Sequence, residues 1–230
     1  MADLPATLFA DPVWNALHST HANFRISNQY ACRYPAEVAP FGALARPTQT
    51  AMRQLYELLV PGEAIWLIGE HFPNTAGLQH ENTLKCLQMV LPGKAQTVQS
   101  NVTIHRLDES HAVEMLALTN LAFPGFFRKR TCEMGSYYGV RSADGELIAM
   151  AGERMKVGDA WELSAVCTHP EHRGKGFATS LMWQVIDSQR RAKALPWLHV
   201  STTNTKAIGL YQSMGFEEIR HVNISQYIRR

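Results

Sequence analysis

The chain is most easily approached through what it lacks. Its four cysteines, Cys32, Cys86, Cys132 and Cys167, are scattered with no C-x-x-C pair among them. That removes the zinc knuckle and the dithiol redox motif, and a disulfide framework is not expected in a chain of 230 residues without a secretory start. Charge of one sign is lacking too: 22 Lys+Arg against 20 Asp+Glu leave a formal net charge of +2. Such a balance speaks against nucleic acid as a partner, so any phosphate affinity has to be local. No apolar run approaches the ~20 residues that cross a bilayer. The start, MADLPATLFADPVWNALHST, has no basic segment followed by an apolar one, so no signal peptide is expected. His18 and His21, like His169 and His172, are spaced i,i+3, but no third ligand joins either pair and no metal is expected. A soluble, cytoplasmic protein without a membrane partner is the expectation.

What is present is an ordinary globular balance, 46% hydrophobic and 18% charged. The first ninety-odd residues read as a mixed α/β piece. Thr48 to Leu59 is a helix with Ala51, Met52, Leu55, Leu58 and Leu59 on one face, capped by Thr48 and stopped by Pro61-Gly62. "AIWLIG" (64–69) and "LKCLQMVL" (84–91) read as buried strands, the second with helix as an alternative. "PGKAQTVQSN" (92–101) is polar and turn-prone, which places a boundary between domains of residues 1–95 and 100–230. From Val102 the expected order is β-α-(α)-β-β-β-α-β-α-β-β, a mixed sheet with helices packed on it. In it, Val113, Leu116, Ala117 and Leu121 form the inner face of the first helix. Asp144-Gly145 marks a hairpin, and "FEEIR" and "ISQYI" are two closing strands.

The stretch "HPEHRGKGFATSL" (169–181) sets two glycines and two basic residues between a strand and an amphipathic helix. It is not the dinucleotide fingerprint, because Thr179 stands where a third small residue is needed, and it is not a P-loop. Gly174 and Gly176 let backbone approach a ligand without a Cβ in the way. The helix starting near Phe177 offers unpaired N–H groups and the positive end of its dipole, and Arg173 and Lys175 add cations. These features suit a pyrophosphate. A glycine-rich turn with solvated basic residues is the alternative.

The same stretch resembles the acetyl-coenzyme A motif of the GNAT N-acetyltransferases, Arg/Gln-x-x-Gly-x-Gly/Ala, with Arg173, Gly176 and Ala178 in its places. A second family element, N-x-x-A-x-x-x-Y-x-x-x-G-F, is matched by Asn204, Ala207, Tyr211, Gly215 and Phe216. The resemblance covers residues 102–230 and implies an α/β (α+β mixed-sheet) GNAT fold that moves an acetyl group from acetyl-coenzyme A to an amine. It implies that the backbone of Arg173, Gly174, Lys175, Gly176, Phe177, Ala178 and Thr179 holds the pyrophosphate. It further implies that Val166 and Cys167 lie on a strand edge open to the pantetheine arm, with the Val166 N–H toward the thioester, and that Asn204, Ala207 and Tyr211 border the arm. Asn204 is also an N-cap candidate.

The chemistry sets the search for catalytic groups. A lysine-like amine has a pKa of ~10 and the leaving thiol one of ~8.5, so at pH 7 about one amine in a thousand is nucleophilic, a handicap of roughly 4 kcal/mol. A base is therefore sought first. Glu162, four residues before Val166 on one strand face, is the leading candidate by resemblance to the histone-acetylating branch. Glu153 and a base acting through water are the alternatives. Tyr211 resembles the family tyrosine that protonates the thiolate. A covalent acetyl-Cys167 is a further possibility, although no histidine is visibly placed to activate it.

"FPGFFRKRT" (123–131) is expected to border the acceptor groove, with helix-flanking anchors as the other reading. The first domain, read as a degenerate copy of the same fold without a glycine-basic loop, is expected to close the acceptor side and bind no second coenzyme. An acetyl-coenzyme A sensor without turnover and a transferase of longer acyl groups are the competing functions. A small-molecule amine is preferred to a protein amine as acceptor. Monomer and homodimer are both open.

Overall fold

A computed structural model describes residues 9–93 and 102–230. The boundary expected at 92–101 therefore lies mostly outside the described residues. In the first part, α1 (Pro12–Leu17) is followed by β1 (Ile26–Ser27), β2 (Ala31–Arg33), β3 (Phe41–Leu44), α2 (Gln49–Glu57), β4 (Ala64–Ile68) and β5 (Leu78–Val90). Helix α2 starts where the sequence places it, with the Thr48 hydroxyl accepting the Ala51 N–H at 3.2 Å, and it buries Ala51, Met52 and Leu55. β3 and β4 on either side of it are parallel neighbours, as a strand–helix–strand crossover requires.

The second part runs β6 (His105–Leu107), α3 (Ala112–Ala122), β7 (Tyr137–Arg141), β8 (Leu147–Val157), β9 (Ala160–Thr168), α4 (Phe177–Arg191), β10 (Leu195–Ser201), α5 (Thr205–Ser213) and β11 (Glu217–Arg229). Gly145 at φ +87° makes the expected hairpin turn between β7 and β8. Leu181, Met182, Val185 and Ile186 of α4 are fully buried, each contributing roughly 1.5–3 kcal/mol of apolar burial.

All strands join one sheet of order β1-β2-β3-β4-β11-β5-β10-β9-β8-β7-β6. The two expected closing strands are instead one continuous strand, β11, with register shifts between Glu218 and Arg220 and between Gln226 and Tyr227. β5 of the first part lies between β10 and β11, antiparallel to both. In turn β11 pairs with β4. Each part thus lends a strand to the other, and one hydrophobic cluster runs through Phe41, Trp66, Met155, Trp197 and Ile224.

Helix α3 also departs from expectation. Ala112, Met115, Leu118 and Thr119 face inward, while Val113 and Leu121 are exposed. Its sequence, AVEMLALTNLA, is apolar nearly all round, so periodicity does not choose a face. The 3-10 turn at Glu109–His111, capped by Asp108, sets the phase.

Candidate active site

β9 and β10 begin as a parallel pair, but their register holds only from Leu195–Trp197 against Ala160–Glu162. Beyond that the strands part. On its other side β9 carries a bulge: Ser164 faces Gly152 and Cys167 faces Met150, so Ala165 and Val166 together oppose Ala151. Ala165 sits at φ +53°, an uncommon conformation for a residue with a Cβ and one that costs of order 1–3 kcal/mol. Bulge and splay open a cavity of about 260 Å³ walled by Ser164, Ala165 and Val166 from β9 and Val200 and Ser201 from β10. Asn204 and Tyr211 border it as well.

The glycine-basic loop follows directly from β9. Gly174 and Gly176 are both at φ +78°, and nothing lies within 4 Å of where a Cβ would stand on either. Gly176 occupies the N-cap of α4 with no side-chain cap, and the first internal bond of the helix runs from Ser180 N–H to Gly176 O at 3.1 Å. The N–H groups of the first turn, at Phe177, Ala178 and Thr179, therefore have no intrahelical acceptor. Arg173 and Lys175 are exposed beside them, and Arg173 Nε donates to the Thr168 carbonyl at 3.4 Å.

Glu162 is on the cavity wall but does not stand free. Its carboxylate accepts from Arg154 Nε at 2.9 Å and Nη2 at 2.7 Å, from Met155 N–H at 3.2 Å, and from His199 Nδ1 at 2.8 Å. Four donors fill the roughly four acceptor positions of a carboxylate. Burial opposes the charge, but Arg154 and His199 outweigh it and pull the pKa of Glu162 down to about 2. With its acceptor positions occupied and its pKa lowered, Glu162 has little capacity left for an amine proton, which weighs against the expected role as base. Glu153, the alternative, is fully buried away from the cavity, where it receives Ser136 N–H at 3.0 Å and pairs with Lys156 at 3.0 Å.

His199 completes the cluster. Gln88 Nε2 donates to the Phe9 carbonyl at 3.1 Å and lies 3.0 Å from His199 Nε2. The pattern is satisfied when His199 carries its proton on Nδ1, toward Glu162, and accepts at Nε2.

Tyr211 meets the cavity from α5, and burial pushes its hydroxyl up to about 12. Asn204 caps α5 by accepting the Ala207 N–H at 3.2 Å. The Cys167 side chain packs in the core beside Met150, and burial raises its thiol to about 12, which speaks against a nucleophilic role. Only its main chain is left to face a ligand. His21 bonds Tyr34 and the Met134 carbonyl, His18 the Trp14 carbonyl, and the His169 ring accepts the Glu171 N–H at 3.3 Å. Among the described residues no cluster of three potential metal ligands exists.

Phe123, Phe126, Phe127 and Thr131 border the cavity as the segment 123–131 suggested, and Phe41, Leu84 and Cys86 join from the first part. Phe126 packs 4.9 Å from Trp66 and 5.8 Å from Phe41. Among the cavity residues that the sequence reading missed are Arg154, His199 and Tyr137. Each lies in an apolar strand run, where a polar residue at an inward position is the one available signal.

The sequence profile of the acetyltransferase (GNAT) family matches residues 104–216. Spermidine N(1)-acetyltransferase of Vibrio cholerae is 42% identical over 55 residues, 23% of this chain and 32% of its own length. The ribosomal protein bS18 alanine N-acetyltransferase of Escherichia coli is 32% identical over 76 residues, 33% of this chain and 51% of its own. The chain thus spans about a third and about half of these two curated relatives. A crystal structure of a GNAT-family protein from Novosphingobium aromaticivorans superposes with a TM-score of 0.90 at 32% identity, covering 97% of this chain and 99% of that one. With the motifs, the parted strands and a likeness that extends through the first part as well, the chain belongs to the GNAT acetyltransferase family.

Proposed function

We propose that this protein transfers the acetyl group of acetyl-coenzyme A to a primary amine held in the cavity between β9 and β10. The observation that carries the reading is the combination of three features: the bulged, parted edge of β9, the uncapped glycine start of α4 that follows β9 in the chain, and Tyr211 on the cavity wall. The residues present fit the coenzyme. A Cβ at Gly174 or Gly176 would project into open space beside unpaired N–H groups, which is what a diphosphate needs. Arg173 and Lys175 add charge there, and the bulge at Ala165–Val166 faces the parted edge. When bound, acetyl-coenzyme A supplies an acyl thioester already activated for attack.

Tyr211 serves as a hydrogen-bond donor to the sulfur. A phenol of pKa about 12 stays protonated, and complete transfer to a thiolate of ordinary pKa ~8.5 is uphill by roughly 5 kcal/mol. Its part is therefore to stabilise developing negative charge. Glu162 acts as a positioning residue that holds Arg154 and His199. The acceptor proton leaves through water, because no carboxylate on the cavity wall has a free lone pair. The expected result is that log kcat/KM rises with a slope of about one up to the acceptor's own pKa. A plateau set by an enzyme group well below that pKa would restore a side-chain base. The transferase reading itself is tested by thiol release from acetyl-coenzyme A across an amine library, and absence of both turnover and coenzyme binding would end it.

A further inference from the structure

The inner wall of the cavity has donors to spare and no acceptor of matching strength. Glu162 is saturated, as above. The Thr131 hydroxyl donates to the Val38 carbonyl at 2.6 Å and accepts the Arg128 N–H at 2.7 Å. Both ring nitrogens of His199 are engaged. Two donors remain. Arg154 uses Nε and Nη2 on Glu162, and its Nη1 makes no hydrogen bond to a described residue, while the guanidinium lies 4.8 Å over the Phe41 ring. The Tyr137 hydroxyl is fully buried and has no partner among the described residues. Arg154 and Tyr137 lie close enough for the guanidinium charge to act on the hydroxyl, and both border the cavity.

The buried Tyr137 hydroxyl left unpaired costs about 1–3 kcal/mol, and the guanidinium beside it can only donate. An ammonium, itself a donor, cannot satisfy Arg154. The other wall is aromatic, from Phe41, Phe123, Phe126 and Phe127. Because the charge of Arg154 is already matched by Glu162, nothing here attracts a polycation.

Resting on the transferase reading above, we infer that the acceptor is an α-amino acyl compound with an apolar side chain: Arg154 Nη1 and the Tyr137 hydroxyl bind its carbonyl or carboxylate oxygen, and the phenylalanines enclose its side chain. Phenylalanine carries the amine with a carboxylate, phenylalaninamide carries it with a neutral amide oxygen, and phenethylamine carries it with neither. A site built around such a hydrogen bond rejects the analogue lacking it by large factors.

The test is the rate of thiol release with these three amines and with spermidine. At least one oxygen-bearing amine is expected to exceed phenethylamine and spermidine by about 100-fold in kcat/KM. The choice between carboxylate and amide then tells a free amino acid from a peptide-like N-terminus. Tyr137→Phe, which keeps the ring packed against Phe127, should raise KM for the preferred amine about tenfold more than for phenethylamine. Equal kcat/KM for the three, preference for spermidine, or an equal response of all three to Tyr137→Phe overturns the inference while leaving a working transferase. Should the coenzyme bind without turnover, thermal shifts with coenzyme A plus each amine decide, and no larger shift for the oxygen-bearing pair overturns it as well. Loss of both coenzyme binding and thiol release instead sinks the transferase reading beneath it.

Discussion

The unit β3–α2–β4 and the unit β9–α4–β10 occupy corresponding places on either side of the central β11–β5 pair. Each is a parallel strand–helix–strand crossover flanked by an antiparallel neighbour, β2 in one case and β8 in the other. They differ at the helix start. Thr48 closes α2 with its own hydroxyl, whereas α4 begins on a left-handed glycine and leaves its first turn open. A helix that satisfies its own N-terminal donors has nothing to offer an anion. The first part repeats the crossover without an open helix start, and what it contributes is cavity wall and a strand.

The contrast can be broken most severely at Gly176. Gly176→Glu sets a carboxylate and a strained left-handed residue over the open turn, and calorimetry should show acetyl-coenzyme A affinity falling by roughly 10³-fold or more. Unchanged affinity would dissolve the distinction between the two helix starts. Next comes Glu162→Gln, which strands the buried Arg154 and should cost about 3–5 kcal/mol in urea unfolding near neutral pH. Because the folded carboxylate titrates near 2, below its ordinary value of 4.5, its stabilisation is complete above pH 4.5 and is lost as pH falls through 2. The gap between wild type and variant should close over that window, and a constant gap would refute the ion pair as its source. Tyr211→Phe should lower kcat about 10²-fold with the coenzyme dissociation constant within about twofold; equal rates in the two proteins would remove the donor role. The smallest change sharpens the other side: Thr48→Ala should cost about 1 kcal/mol of stability and leave coenzyme affinity as it was. A loss of binding there would mean that the two helix starts are not independent.

The glycine-basic turn with its open helix start was legible because its features are local: glycine spacing, basic residues and a helix start follow one another within a few positions. The cap at Thr48 was legible for the same reason. Glu162 was legible as a polar residue of the cavity wall, but the partners that occupy its carboxylate were not, since they come from β8 and β10 and no spacing in the sequence joins Arg154, Glu162 and His199. The inner face of α3 was misread because a helix apolar on most sides offers no phase. The closing strand was split in two because the sequence around Arg220 and His221 is polar; the structure keeps it whole by laying β5 against it, a pairing between distant segments.

That pairing sets how the molecule must assemble. Leu78 lies opposite Arg229 and Val90 opposite Glu217, separations of 229 − 78 = 151 and 217 − 90 = 127 positions. Contacts between such remote segments carry the full entropy of closing a long loop before they return any free energy, so they form late and slowly. Until the seam closes, each part presents an unpaired strand edge, which makes the unfinished chain vulnerable to association with its own kind. Refolding yield should therefore decline as protein concentration rises.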